Sequence, residues 1–315
     1  MKLHAPFVQL PIRFDARRMA EEIGALGESA WRPHPQNFPG NSMLPLVAID
    51  GDPGNERFRG AMKPTPDLMK CPYILQVLSA FGATIGRTRL MRLSGGAEVI
   101  RHVDQGYYWA ERVRVHVPVV TQPSVRFECG DATINMAEGE CWIFDTWRQH
   151  RVLNDDNRSR IHLVCDTVGG DKFWALVKQG SIIDKSRDTA YLDTPVVTFN
   201  PPCSPPISYE AFNLPTIMSP WELRMHLDFL LSEAVQSPDV EAMRQYVQDL
   251  YRGWLGIWAK YADSEIAEPE YRHLMGRFFD HIDCFVGNIA LKNDVPMLPV
   301  LMGMVANVAV IGRRL

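Results

Sequence analysis

The chain has 315 residues, 46% of them apolar and 22% charged, the composition of a folded globular protein rather than a disordered one. A formal net charge of −4 argues against nucleic acid as a partner, because no basic excess is present to meet phosphates. Six cysteines (71, 129, 141, 165, 203, 284) without a C-x-x-C pair argue against a structural zinc site and a disulfide framework. They read as free thiols of a reducing cytoplasm. The opening MKLHAPFVQLPIRF is interrupted by Gln9 and Pro11, so it lacks the apolar run of a signal peptide, and a cytoplasmic location is expected.

Asp15 before ARRMAEEIGAL predicts an N-capped helix with Met19, Ile23 and Leu26 on one stripe. From Trp31 to Pro66 the chain is dense in Pro, Gly and Asn and reads as loop. Pro72 opens a helix over Tyr73 to Phe81. From Thr88 the period becomes two. TRLMRL alternates, and RVRVHVPVV (112–120) puts Val113, Val115, Val117 and Val119 on one face, with Arg112, Arg114 and His116 on the other. VRFEC (125–129), ATINM (132–136) and ECWIF (140–144) are further strands, the last entered through a Glu138-Gly139 turn. RIHLVCDT (160–167) sets Arg160, His162, Val164 and Asp166 on one face. Short strands at this spacing indicate a sandwich, jelly roll or barrel.

Pro195, Pro201, Pro202, Pro205 and Pro206 predict a linker. Helices follow. Ser219-Pro220-Trp221-Glu222 is a capping box, with Leu223, Leu227, Leu230, Leu231 and Ala234 inward. Ser237-Pro238 opens a second helix with Met243, Val247, Leu250 and Trp254 inward. A third runs near Glu268 to Ile289 with Tyr271, Leu274, Phe278 and Ile282 inward. Val295 to Gly312 is uncharged and approaches a membrane span in length, but Pro296, Pro299, Gly303 and Asn307 favour a buried C-terminal helix over a membrane anchor. The expected organisation is a β-rich domain over 1–195 and an α-helical domain over 207–315. The helical domain is also the candidate surface for a homodimer.

Chemistry concentrates in a few positions. His102-Val103-Asp104 precedes the alternating strand, and His150 follows ECWIF. His-x-Asp with a distant His is the ligand set of the 2-His-1-carboxylate facial triad, which leaves open positions on Fe(II). Alone, His-x-Asp is a weak signal. Arg160, ten residues after His150, strengthens it, because an inward guanidinium binds a carboxylate bidentately and is costly to bury without one. Arg114 and His116 repeat the R-x-H spacing of Arg160 and His162. Two inner-face arginines beside a metal suit a dicarboxylate such as 2-oxoglutarate.

Several blocks between residues 5 and 168 resemble the aspartyl/asparaginyl β-hydroxylase-like group of 2-oxoglutarate dioxygenases. They are LPIRFDARRMAEEI, Trp31 and His34 leading to Leu44-Pro45-Leu46, RTRLMRLSGGAEVIRHVD, RVRVHVPV, AEGECWIFD, HRVLN and RSRIHLVCD. The resemblance implies an α+β chain: a double-stranded β-helix (jelly-roll, cupin-like) core with flanking N-terminal helices and a C-terminal helical region. It implies His102 and His150 as iron ligands, Arg114 and Arg160 as contacts to 2-oxoglutarate, and Met91, His116 and His162 around the co-substrate. Asp145 and Asn154 match blocks with supporting roles. Animal members lack the carboxylate ligand, whereas Asp104 is present here. In that respect the chain looks like the bacterial branch, which includes cis-hydroxylases of free proline. Asp104 also argues against halogenation.

The reaction this implies is hydroxylation with consumption of O₂ and 2-oxoglutarate and release of succinate and CO₂. A small amino acid or amino-acid-like molecule is the expected substrate. A peptidyl Asp/Asn residue and a lipid acyl chain are the alternatives. A reading of another class is a degenerate oxygenase fold that serves as a partner-binding module. Arg92, Arg101, Gln105, Tyr107, Tyr108 and Trp109 surround the ligand motif as a candidate lid.

Overall fold

The computed structural model describes residues 1–36, 38–183, 194–200 and 206–311. Cα proximity divides these residues into two compact units, 1–103 with 111–213 and 104–110 with 214–315.

Ten strands carry the two main sheets of the first unit. They are β1 (Phe7–Phe14), β2 (Asn41–Ile49), β3 (Thr84–Leu93), β4 (Glu98–His102), β5 (Val113–Val120), β6 (Val125–Cys129), β7 (Ala132–Ile134), β8 (Glu140–Phe144), β9 (His150–Asn154) and β10 (Arg160–Gly169). The larger sheet runs β1-β8-β5-β10-β3-β2 and the smaller β4-β9-β6-β7. Between β3 and β10 the chain passes back and forth between the two sheets, and neighbouring strands are antiparallel. That connectivity is a double-stranded β-helix, one form of jelly roll. The helices α1 (Ala16–Leu26) and α2 (Pro72–Ala80) flank it.

Between the sheets, Phe127 and Val152 from the smaller sheet meet Trp142 and Phe144 from the larger. The rings of Phe127 and Phe144 lie 4.8 Å apart. Burying one such side chain contributes roughly 1.5–3 kcal/mol. Gly139 shapes the entry to β8: its φ is 77°, and a Cβ there would stand 2.2 Å from the Phe14 carbonyl oxygen. Only glycine fits that turn.

Two expectations are corrected here. The stretch 31–66 is not all loop, since it contains β2 and short strands at Arg32–Pro33 and Met62–Pro64. β2 is buried along nearly its whole length, so apolar residues occupy both faces and the alternation vanishes. In α1, Met19 and Ile23 are buried as expected, but Glu22 rather than Leu26 joins them. The Glu22 carboxylate accepts from the backbone N–H of Tyr73 (2.8 Å) and Ile74 (3.1 Å), satisfying the first turn of α2.

The second unit holds α3 (Pro220–Glu233), α4 (Pro238–Tyr261) and α5 (Glu268–Val286), with the inward stripes the sequence predicts. Ser219 Oγ accepts from Glu222 N (3.2 Å) and Ser237 Oγ from Val240 N (3.4 Å) at their starts. Trp254 is fully buried, donates Nε1–H to the Met218 carbonyl (2.9 Å) and packs 4.5 Å from the Tyr271 ring. The single C-terminal helix expected over 295–312 is instead a short helix, Met297–Leu301, followed by one π turn, Met302–Ala306. Pro296 and Pro299, which lack backbone N–H donors, permit no longer start. Among the described residues no helix is long and apolar enough to cross a membrane. Pro201, Pro202, Cys203, Pro205, Gly312, Arg313 and Arg314 lie outside the described residues.

Candidate metal centre

His102 closes β4 and His150 opens β9, directly opposite one another in the antiparallel ladder. Such a pairing brings side chains within a few ångströms on one face, and the two imidazole centroids are 4.2 Å apart. Asp104 follows two residues after His102. One ligand atom from each of the three residues lies within 4.8 Å of the others. Both rings turn Nδ1 toward the backbone carbonyl two residues earlier. His102 Nδ1 is 2.8 Å from the Ile100 carbonyl oxygen, and His150 Nδ1 is 2.9 Å from that of Arg148. A carbonyl oxygen only accepts, so each Nδ1 carries a proton, and Nε2 is the atom through which each ring would hold a cation. The donor set is thus two imidazole Nε2 atoms and a carboxylate, which fits Fe(II).

The Arg148 carbonyl is itself fixed. Asp145, fully buried, accepts from Trp147 N (3.0 Å) and Arg148 Nε (2.9 Å), closing the turn that leads to His150. Asn154 Nδ2 faces the carbonyls of Leu93 (3.0 Å), Ser94 (3.0 Å) and Arg158 (2.8 Å), tying β9 to the end of β3.

Along the inner face of β10, Arg160 is 3% exposed, and its buried Nε has no hydrogen-bond partner. Its Nη2 donates to His162 Nδ1 at 2.7 Å. His162 therefore carries its proton on Nε2, which is also buried without a partner. His116 Nδ1 stands 3.3 Å from His162 Nδ1. Burial first, and then the Arg160 charge, holds both imidazoles well below the usual histidine range, so both are neutral near pH 7. Burial also pushes Arg160 down to about 9. Met91 sits opposite His162 on β3. A buried guanidinium with an orphaned donor, beside an imidazole with another, fits a carboxylate ligand.

Arg114 stands elsewhere. It pairs in register with Asp166, farther along β10 from Arg160 by about 20 Å at strand spacing. Its Nε donates to Asp166 Oδ1 at 3.0 Å. The two R-x-H arginines therefore do not meet at one point, because register and not motif spacing sets where each side chain ends up. Around Asp166 the structure assembles residues that the sequence reading did not single out. Arg87 Nε is 3.8 Å from Asp166 Oδ2, and its guanidinium lies 4.3 Å over the Phe58 ring. Arg89 is 7% exposed, and its buried Nε has no partner. The available signal was parity: Arg87 and Arg89 share the β3 face of Met91.

The lid expectation is corrected at two positions. Arg92 lies on the opposite face from Met91, held by Glu28 (2.8 Å), Ser42 Oγ (3.0 Å) and the Trp31 ring. Arg101 pairs with Glu128 at 2.7 Å. Tyr107 and Tyr108 belong to a short helix, Tyr107–Ala110, of the second unit. There the Tyr107 hydroxyl donates to Glu222, and its ring meets His226 edge-on at 5.3 Å.

A double-stranded β-helix with a His-x-Asp and distant His cluster defines a class, the Fe(II)- and 2-oxoglutarate-dependent oxygenases, whose co-substrates are 2-oxoglutarate and O₂. Residues 57–169 match the aspartyl/asparaginyl beta-hydroxylase family model. No curated protein matches the chain. Among solved structures it is similar to an oxidoreductase of the 2OG-Fe(II) oxygenase family from Burkholderia pseudomallei, at 16% identity and TM-score 0.39, covering 53% of this chain and 87% of that one. It is also similar to a Pseudomonas putida prolyl-4-hydroxylase, at 16% identity and TM-score 0.37, covering 52% of this chain and 92% of that one. Likenesses this distant add nothing beyond the topology and the family match.

Proposed function

We propose that this chain hydroxylates a small amino acid or amino-acid-like substrate, with His102, Asp104 and His150 holding Fe(II) and Arg160 anchoring the far carboxylate of 2-oxoglutarate. The observation that carries the proposal is the cluster of His102, Asp104 and His150 with ligand atoms within 4.8 Å of one another, in which the Nδ1–carbonyl hydrogen bonds leave Nε2 as the ligating atom of each ring. Bound iron, with O₂ and the keto acid, supplies a hydroxylation that releases succinate and CO₂. The chain's own residues bind and orient. Arg160 Nε and His162 Nε2 offer two buried donors to one carboxylate, His116 backs His162, and Met91 packs beside them. Phe127, Trp142 and Phe144 form an apolar wall that excludes water from this side. Asp104 fills a coordination position, which supports hydroxylation over halogenation.

Buried thiols at Cys71, Cys129, Cys141 and Cys165 support a reducing cytoplasm. Exposed Trp221, Met225 and Leu255 on α3 and α4 support a homodimer, tested by the mass in solution from light scattering.

Anaerobic titration with Fe(II) and 2-oxoglutarate tests the reading. A visible charge-transfer band is expected for the wild type and none for His102→Ala. Arg160→Met raises the half-saturating 2-oxoglutarate concentration roughly 10- to 100-fold, since a hydrogen bond to a charged group contributes about 1.5–3 kcal/mol. Absence of the band in the wild type would overturn the proposal and favour the degenerate, partner-binding reading.

A further inference from the structure

The three residues of the metal cluster are fixed in different ways. His102 and His150 face each other in the ladder of β4 and β9. Asp104 lies two residues beyond the end of β4, outside any strand, so a loop must place its carboxylate. By Cα proximity Asp104 to Ala110 group with the C-terminal helices. Three residues after Asp104, the Tyr107 hydroxyl donates to Glu222, and the Tyr107 ring meets His226 edge-on at 5.3 Å. Glu222 and His226 lie four residues apart, on one side of α3. His226 is buried in the stripe of Leu223, Leu227 and Leu230, which fixes the rotation of the helix and with it the place of Glu222 one turn earlier.

The chain between Asp104 and Tyr107 has little freedom. Gly106 takes φ 110°, a conformation that residues with a Cβ rarely adopt. A Cβ there would stand 3.6 Å from the carbonyl oxygen of Gly303, in the π turn Met302–Ala306. A Cβ on Gly303 would in turn stand 3.6 Å from Gly106 Cα. Two glycines thus let two backbones approach closely. The Gly106 carbonyl accepts from Trp109 N at 3.2 Å and starts the short helix that carries Tyr107. A loop free to move would have to be ordered when metal binds, at a cost in conformational entropy that a pre-ordered loop avoids.

We infer that Tyr107 and Glu222 are positioning residues for the Asp104 ligand, so that the C-terminal helices serve iron binding through the loop they hold. This role presupposes the proposed oxygenase reading and gives the helical region a part in it. The hydroxyl–carboxylate hydrogen bond is the part of the restraint that can be removed without disturbing the packing, because Phe at 107 keeps the ring against His226.

The test measures Fe(II) affinity of the full chain under anaerobic conditions at saturating 2-oxoglutarate, from the charge-transfer band, beside the thermal midpoint of the metal-free protein. Tyr107→Phe is expected to weaken Fe(II) binding about tenfold, the low end of what supporting groups at metal sites contribute. Glu222→Ala is expected to do the same. Glu222→Gln, which still accepts from the hydroxyl, restores most of the affinity. The double variant Tyr107→Phe/Glu222→Ala loses no more than either single change, because both remove one hydrogen bond. Ser237→Ala removes the cap of α4 in the same unit, and is expected to lower the thermal midpoint while leaving Fe(II) affinity within about twofold of the wild type. Unchanged affinity in Tyr107→Phe and Glu222→Ala, additive losses in the double variant, no recovery in Glu222→Gln, or an equal loss in Ser237→Ala would each overturn the positioning role. Failure of the oxygenase reading is distinguishable, because then the wild type itself forms no charge-transfer band.

Discussion

Three residues define the metal cluster, but backbone carbonyls decide which atoms they present. Each histidine gives its Nδ1 proton to a carbonyl two residues earlier, a local contact within its own strand approach. For His150 that carbonyl depends on Asp145, whose two oxygens hold the 145–148 turn. Removing the carboxylate frees the turn without touching a metal ligand. Asp145→Ala is therefore expected to weaken Fe(II) binding about 10- to 100-fold, the range typical for supporting groups at metal sites, as measured by anaerobic titration. A variant that binds iron as tightly as the wild type would show that the turn is rigid without Asp145. The cluster of His102, Asp104 and His150 was legible in the sequence because motif spacing carries it. The burial of Arg89 near Asp166 was not, because it follows from the pairing of β3 with β10.

At the scale of elements, the α3 helix buries a histidine among leucines. His226 is 2% exposed, its Nε2 has no hydrogen-bond partner, and burial pushes it down to about 4 from the ordinary 6.5. The folded state therefore keeps the imidazole neutral where the unfolded chain takes a proton. The stability tied to this difference is fully present above pH 6.5 and is lost as pH falls from 6.5 toward about 4. The slope is about 1.4 kcal/mol per pH unit for each extra proton bound by the unfolded chain. His226→Leu is expected to remove one such proton, flattening urea-unfolding stability between pH 7 and pH 5 by about 2 kcal/mol. An unchanged pH profile would mean that His226 is protonated in the fold. The helix starts at Ser219 and Ser237 and the leucine stripes were legible because a helical period survives when only one face is buried. β2 was not, because burial of both faces removes the period.

For the whole molecule, ligand binding and folding are linked. If iron and 2-oxoglutarate bind only the folded chain, ligand at about 100-fold above its dissociation constant adds about 2.7 kcal/mol. For a chain of this size that raises the thermal midpoint by roughly 3–5 °C. Anaerobic scanning calorimetry is expected to show this rise for the wild type and its loss for His102→Ala. A rise of equal size in both proteins would place the bound metal elsewhere.

By itself the sequence determined which residues are chemically equipped for the reaction and which segments alternate or repeat helically, since both follow from local chemistry. Tertiary structure decided where those residues meet. Strand register put Arg160 and Arg114 at different points along β10, although their motifs match. Pairing of β4 with β9 set His102 opposite His150 across the intervening chain. Where these charged side chains stand depends on non-local pairings, since a one-residue slip in register would turn every side chain of a strand to the other face.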